Sequence, residues 1–186
     1  MSRARKEMTT SEEPDPRLGA ELRQGAGSEW AEEAAEDEQL TELMRKRGRT
    51  MTDVTREIAH RGDRVTVQFG GHSFGGIISH AGEDYATVVA PGQIADIRFD
   101  ASIWSVVPAG DSAEPTAAGA ETFRELLHEC AAAGTRLRLS LPDNAILVGQ
   151  VAVVAVDHLE VHDADGRVLY LPIEMVLAAI RSTDFQ

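Results

Sequence analysis

Residues 62–107 read GDRVTVQFGGHSFGGIISHAGEDYATVVAPGQIADIRFDASIWSVV, and residues 134–180 read GTRLRLSLPDNAILVGQVAVVAVDHLEVHDADGRVLYLPIEMVLAAI. Side by side, the two stretches align almost without gaps. Gly62 answers Gly134, Gly76 answers Gly149, Asp84-Tyr85 answers Asp157-His158 and Gly92 answers Gly166, with an offset that drifts only from 72 to 74 residues. Beyond the last glycine, Ile97, Phe99, Ile103 and Val106 keep step with Leu171, Ile173, Leu177 and Ile180, and Asp100 with Glu174. Shared turn glycines and apolar positions are what a duplicated structural unit retains. A solitary active site is not normally spelled out twice, so the repeat points to architecture before catalysis.

Within the first copy, Val65, Val67 and Phe69 alternate with polar residues, the pattern of a strand with one buried face. Gly70-Gly71 makes the turn, residues 74–79 and 85–89 follow as strands, Pro91-Gly92 turns again, and residues 94–99 and 103–107 complete five. A short helix precedes each copy. Residues 52–60 form the first, with Met51 just ahead of them, Val54 and Ile58 at helical spacing, and residues 121–133 place Phe123, Leu126, Leu127 and Cys130 on one face. Upstream, residues 28–48 open on a serine cap and run from acids to bases, as helix ends prefer. The chain therefore divides into a disordered arm (1–27), a charged helix (28–48), a first β unit (49–110), a small-residue linker (111–119) and a second β unit (120–186).

A helix followed by five strands, with these turn residues, resembles the Sm-like family of small β-barrels, and its Hfq-like branch in particular. The resemblance rests on Gly71 to Gly76 and Asn144 to Gly149, which keep the family's spacing between a turn and a strand glycine, and on the run from Phe99 to Pro108. It covers residues 52–108 and 120–181, and extends to actinobacterial proteins that carry an acidic helical arm before such a barrel. The implied fold is mainly β with helices (α+β): two tandem five-stranded small barrels, each led by a helix. A glycine midway along a bent strand suits the curvature of a small barrel. The family's RNA-binding members place a Lys-His pair at the inner rim, whereas this chain has Asp100-Ala101 and Glu174-Met175 there. Carboxylates repel phosphate. Tyr85 and His158 fall at the positions where the family stacks bases, a mode tolerant of sequence.

Charge bears on the partner. The formal net charge is −13, and residues 111–186 hold twelve acids against five bases, which excludes a surface that grips nucleic acid throughout. Residues 45–64 run against the trend, with Arg45, Lys46, Arg47, Arg49, Arg56, Arg61 and Arg64 against three acids. This is the candidate RNA footprint, with Tyr85 and His158 as candidate stacking residues.

The rest of the sequence adds no catalytic centre. Gly71-His72-Ser73-Phe74-Gly75 matches the nucleophile-elbow pattern of serine hydrolases, but β-rich sequence follows it where an elbow requires a helix. His158 and His162 lack a third metal ligand, and Asp163 to Gly166 reads as an Asp-Gly hairpin turn instead of a calcium loop. No cofactor or metal is expected. One cysteine, Cys130, excludes an internal disulfide, and no apolar run approaches membrane length. With no secretory signal in the first twenty residues, a cytoplasmic location is expected. The expectation is a non-enzymatic tandem Sm-like protein whose first partner is another protein, through pairing of the two barrels or homo-oligomerisation at strand edges. RNA binding is the alternative, and serine hydrolysis the third.

Overall fold

The computed structural model of the chain describes Trp30, residues 35–109 and residues 118–183. The expected arm (1–27), the start of the charged helix and most of the linker lie outside the described residues. Residues 35–47 are helical (α1) and belong to a compact body distinct from residues 49–186. On α1, Arg45 Nε donates to Glu42 at 2.8 Å and Lys46 Nζ lies 3.5 Å from the same carboxylate. These cations, Arg45 first, lower the Glu42 pKa to about 2. No helix among the described residues is long and apolar enough to cross a membrane.

The second body opens with α2 (Met51–Arg61), and its counterpart in the repeat is α3 (Phe123–Ala132). Both start on a capping box. Thr50 Oγ1 accepts from Asp53 N while the Asp53 carboxylate accepts from Thr50 N, and Thr122 and Glu125 make the same exchange. Gly62, at φ 69°, stops α2 in the left-handed region that glycine adopts at little cost.

Ten strands follow: β1 (Arg64–Phe69), β2 (His72–Ala81), β3 (Tyr85–Ala90), β4 (Gln93–Arg98), β5 (Ser102–Val107), β6 (Arg136–Ser140), β7 (Ile146–Val154), β8 (His158–Asp163), β9 (Val168–Pro172) and β10 (Ala178–Ser182). The architecture is α+β and mostly β. The sequence predicts two separate closed barrels, and the strands do not pair in that way. They make one antiparallel sheet in the order β5-β1-β2-β3-β4-β10-β6-β7-β8-β9, and neither five-strand set closes on itself. Each set has the same internal order, last strand first, and the edge strands β4 and β10 satisfy their free backbone groups on each other from Ala178↔Ile97 to Ser182↔Gln93. An edge strand needs some such cover. The outer edges are β5 and β9.

The repeat persists in local geometry. A Cβ on Gly76 would lie 2.3 Å from the Val89 carbonyl oxygen, and one on Gly149 would lie 2.6 Å from that of His162. Two residues beyond each glycine the ladder slips, between Ile78 and His80 in β2 and between Val151 and Val153 in β7, so the same bulge is built twice. In the last strand, however, the register shifts the sequence alignment by one residue. Gln68 pairs with Ile103 and its counterpart Ser140 pairs with Ala178, so Ile103 answers Ala178 and not Leu177. The extra residue is taken up at the one-turn 3-10 helix Ile173–Met175.

Alternation fills two cores. Val65, Val67, Ile78, Val88 and Ile97 pack with Ile58 and Ala59 of α2, and Leu137, Leu139, Val151 and Val161 pack with Phe123, Leu126 and Leu127 of α3. The repeats exchange residues across the seam. Tyr85 of the first belongs to the second core, and Ala178 of the second to the first.

Candidate functional site

The basic segment is divided between the two bodies and largely neutralised within each. Arg45 and Lys46 share Glu42 on α1, which also carries Arg47. In the sheet body, Arg49 and Arg61 both bind Glu57, and Arg61 Nε donates to Asp63 at 2.7 Å. The Asp63 carboxylate also accepts from the Ala109 backbone N–H at 3.0 Å, and these two donors, the backbone one first, hold its pKa below the usual range. Arg56 and Arg64 are exposed, on α2 and β1. The segment is a helix-cap network with a few outlying cations.

Tyr85 and His158 occupy matching positions at the starts of β3 and β8, but in different environments. Tyr85 is 1% exposed, its ring lies 5.9 Å from Phe123 and its hydroxyl donates to the Ala120 carbonyl at 2.9 Å. Burial raises its pKa. No face of the ring is left for a base. His158 is half-exposed, edge-on to Tyr170 with ring centroids 5.7 Å apart, and its Nδ1 lies 2.7 Å from Asp157, which lowers the carboxylate's pKa.

Asp84 and Asp157, the acids of the repeated pairs, line one groove of about 680 Å³ with Arg98, Arg124, His158 and Glu174. Its arginines are committed to backbone. Arg124 donates to the Ala155 and Val156 carbonyls at 2.6 Å each, and Arg98 reaches the Ile173 and Glu174 carbonyls at 3.3 and 3.2 Å and also binds Asp100. Asp84 Oδ1 accepts from Phe123 N at 2.7 Å, tying α3 to the β2–β3 turn. The groove acts as a buttress between the repeats, with acids as its remaining exposed charges.

Ser73 lies in β2, opposite Gln68, and the strand continues to Ala81 without a following helix. His72, next to it in a strand, projects to the opposite face. Among the described residues no group of three His, Cys, Asp or Glu side chains is arranged for a metal. Cys130 is buried, which raises its pKa and removes it from solvent.

Two features dominate the geometry, and from the sequence only strand edges in general were expected, without the strands or residues that form them. The first is a buried ion pair at the β4–β10 seam. Asp96 is 0% exposed, accepts from Thr87 Oγ1 at 2.7 Å and lies 3.4 Å from Arg181 Nη2. Burial raises its pKa, with Arg181 and then Thr87 acting against the rise. The second is the pair of open edges. On β5, Ile103 is 68% exposed and Val107 also faces solvent, and on β9 Tyr170 is 68% exposed with Val168 beside it. The register relates these edges to the seam. Tyr170 stands where Asp96 stands in β4, since they pair with the counterparts Glu160 and Thr87. Val106 likewise stands where Arg181 stands in β10. The internal joint has an ion pair where the open edges have an aromatic and a β-branched residue. A signal for this was present in Ile103, Val106, Val168 and Tyr170, but it becomes readable only once the register is known.

The chain matches no known family model and no curated protein sequence.

Proposed function

We propose that this chain is a non-enzymatic binding protein, a tandem Sm-like module that works by pairing its open strand edges with another protein chain. The observation that carries this reading is the β4–β10 joint, in which two edges of the same kinds as β9 and β5 already pair. A second copy of the chain supplies what each open edge lacks. With β5 of one copy against β9 of the next, Tyr170 meets Trp104 and Val168 meets Val106, cross-strand pairs of the types that stabilise sheets. Such a head-to-tail contact is heterologous and extends into a ring or a filament.

Protein is favoured over RNA as the partner because Tyr85 is in the core, the acids of the groove repel phosphate, and much of the basic segment is bound to Glu42, Glu57 and Asp63. Serine hydrolysis has no support from the surroundings of Ser73.

Light scattering coupled to size-exclusion chromatography tests the reading. The mass is expected to rise with concentration above the 20.1 kDa of one chain, and Ile103→Lys or Tyr170→Lys, both at exposed positions, should return it to the monomer. A monomer at every concentration, or assembly indifferent to both substitutions, rules out edge pairing between copies.

A further inference from the structure

The second repeat gathers cations on a face away from the acidic groove. Arg136 and Arg138 alternate along β6 and so share one face of the sheet. Neither side chain makes a hydrogen bond or ion pair among the described residues. A groove of about 660 Å³ runs beside them, and through Gln93, Arg138 and Ile180 it shares walls with a smaller cavity of about 120 Å³. No carboxylate of the described residues lines either one, in a chain of net charge −13.

The small cavity has three further polar residues in its walls, His72, Ser73 and Ser140. Ser140 is 1% exposed, and its Oγ and the Nε2 of His72 are buried with no hydrogen-bond partner among the described residues. Buried polar atoms are nearly always partnered, so two unpartnered atoms on one cavity beside a free guanidinium require explanation. The β1–β2 turn brings them together. Gly70, at φ 52°, approaches the second repeat so closely that a Cβ there would lie 2.8 Å from the Leu141 carbonyl oxygen and 3.5 Å from Ser140 Oγ. That approach sets His72 of the first repeat against Ser140 of the second.

We propose that this cavity binds the phosphoryl group of a small organic phosphate, with the organic part in the adjoining groove. The polar walls can all donate: the Arg138 guanidinium, the Ser73 and Ser140 hydroxyls, the Gln93 amide and Nε2 of His72 when that nitrogen carries the hydrogen. They come from β2, β4 and β6, and so surround a tetrahedral oxyanion better than they would the flat edge of a carboxylate. A volume of about 120 Å³, the liquid share of about four waters, has room for one phosphoryl group. The larger groove offers Val148 and Ile180 for apolar contact and Arg136 for further negative charge. This site does not rest on the strand-edge reading and stands or falls apart from it.

The test is calorimetric titration of the full chain at constant ionic strength with two probes, inorganic phosphate and glycerol 3-phosphate, repeated as a shift in melting temperature. Saturable binding at one site per chain is expected, tighter for glycerol 3-phosphate. Arg138→Gln and Ser140→Ala should each weaken it by about tenfold or more, while Arg56→Gln, an exposed cation on α2, should leave it unchanged. Should Ser140→Ala disturb the fold, Arg138→Gln, at an exposed position, decides alone. Heats that never saturate with either probe would mean the cavity holds only water. That result, or equal affinity in wild type and Arg138→Gln, overturns the proposal.

Discussion

Gly76 and Gly149 show how far single residues were legible. Their equivalence was readable from spacing alone, and both meet a neighbouring carbonyl where a side chain would collide, at 2.3 and 2.6 Å. Gly76→Val and Gly149→Val should each destabilise by more than about 1 kcal/mol, the centre of ordinary substitutions, in urea unfolding. Gly75→Val is the control, because a Cβ there meets nothing nearer than 3.8 Å. Equal stability in all three variants would mean that the close approach is not real. Asp96 was not legible, because an acid in a strand reads as a solvent-facing residue until its neighbour is known, and the neighbour arrives from 85 positions away as Arg181. Its raised pKa gives a testable sign. The folded chain holds this proton more tightly than the unfolded chain, whose Asp value is 3.8, so the contribution is full at low pH and is lost as pH rises through the raised value. Asp96→Asn lacks this loss and should gain on wild type between about pH 4 and about pH 7. Asp63, with its lowered pKa, contributes fully above its unfolded value of 3.8 and loses that contribution as pH falls below it, so Asp63→Asn should lose ground on wild type as pH rises toward about 4 and then run parallel to it. Parallel trends for the two variants would sink both assignments.

At the scale of elements, helices and strands followed from periodicity, and their ends from chemistry. The expected helices at 52–60 and 121–133 became Met51–Arg61 and Phe123–Ala132, with matching capping boxes at Thr50 and Thr122. Those Thr-x-x-acid signatures could have been read from the sequence, and they extend the repeat upstream of its first glycine. Thr50→Ala and Thr122→Ala should each cost about 1 kcal/mol, a typical cap value, in thermal or urea unfolding. A cost in neither would show that the caps are incidental to these helices. Bulges were not legible, because an extra residue in a strand keeps its apolar neighbours and alters only the ladder. The same blindness caused the slip in the last strand. Leu177 looks like the partner of Ile103 by hydrophobicity, but the 3-10 turn at Ile173–Met175 places Ala178 there.

For the whole molecule, the duplication was in the sequence and its consequence was not. The first four strands of each repeat follow one another through short connections between antiparallel neighbours, but the return of the last strand to the first, and which edge then meets which, are decided by backbone pairing that no side-chain pattern records. The pairing of β4 with β10 turns two five-strand units into one open sheet, and leaves at its ends the same two kinds of edge that the joint consumes. Charge complements this arrangement. The internal joint holds Asp96 against Arg181, while the outer edges offer apolar and aromatic residues suited to a chain that arrives from outside. Amide hydrogen exchange, followed strand by strand as protein concentration is raised, tests this most directly. β4 and β10 should be protected at every concentration, and β5 and β9 should move from fast exchange toward the same protection as copies pair. Fast exchange in β5 and β9 at all concentrations would contradict edge pairing between copies, and fast exchange in β4 and β10 would contradict the joint itself.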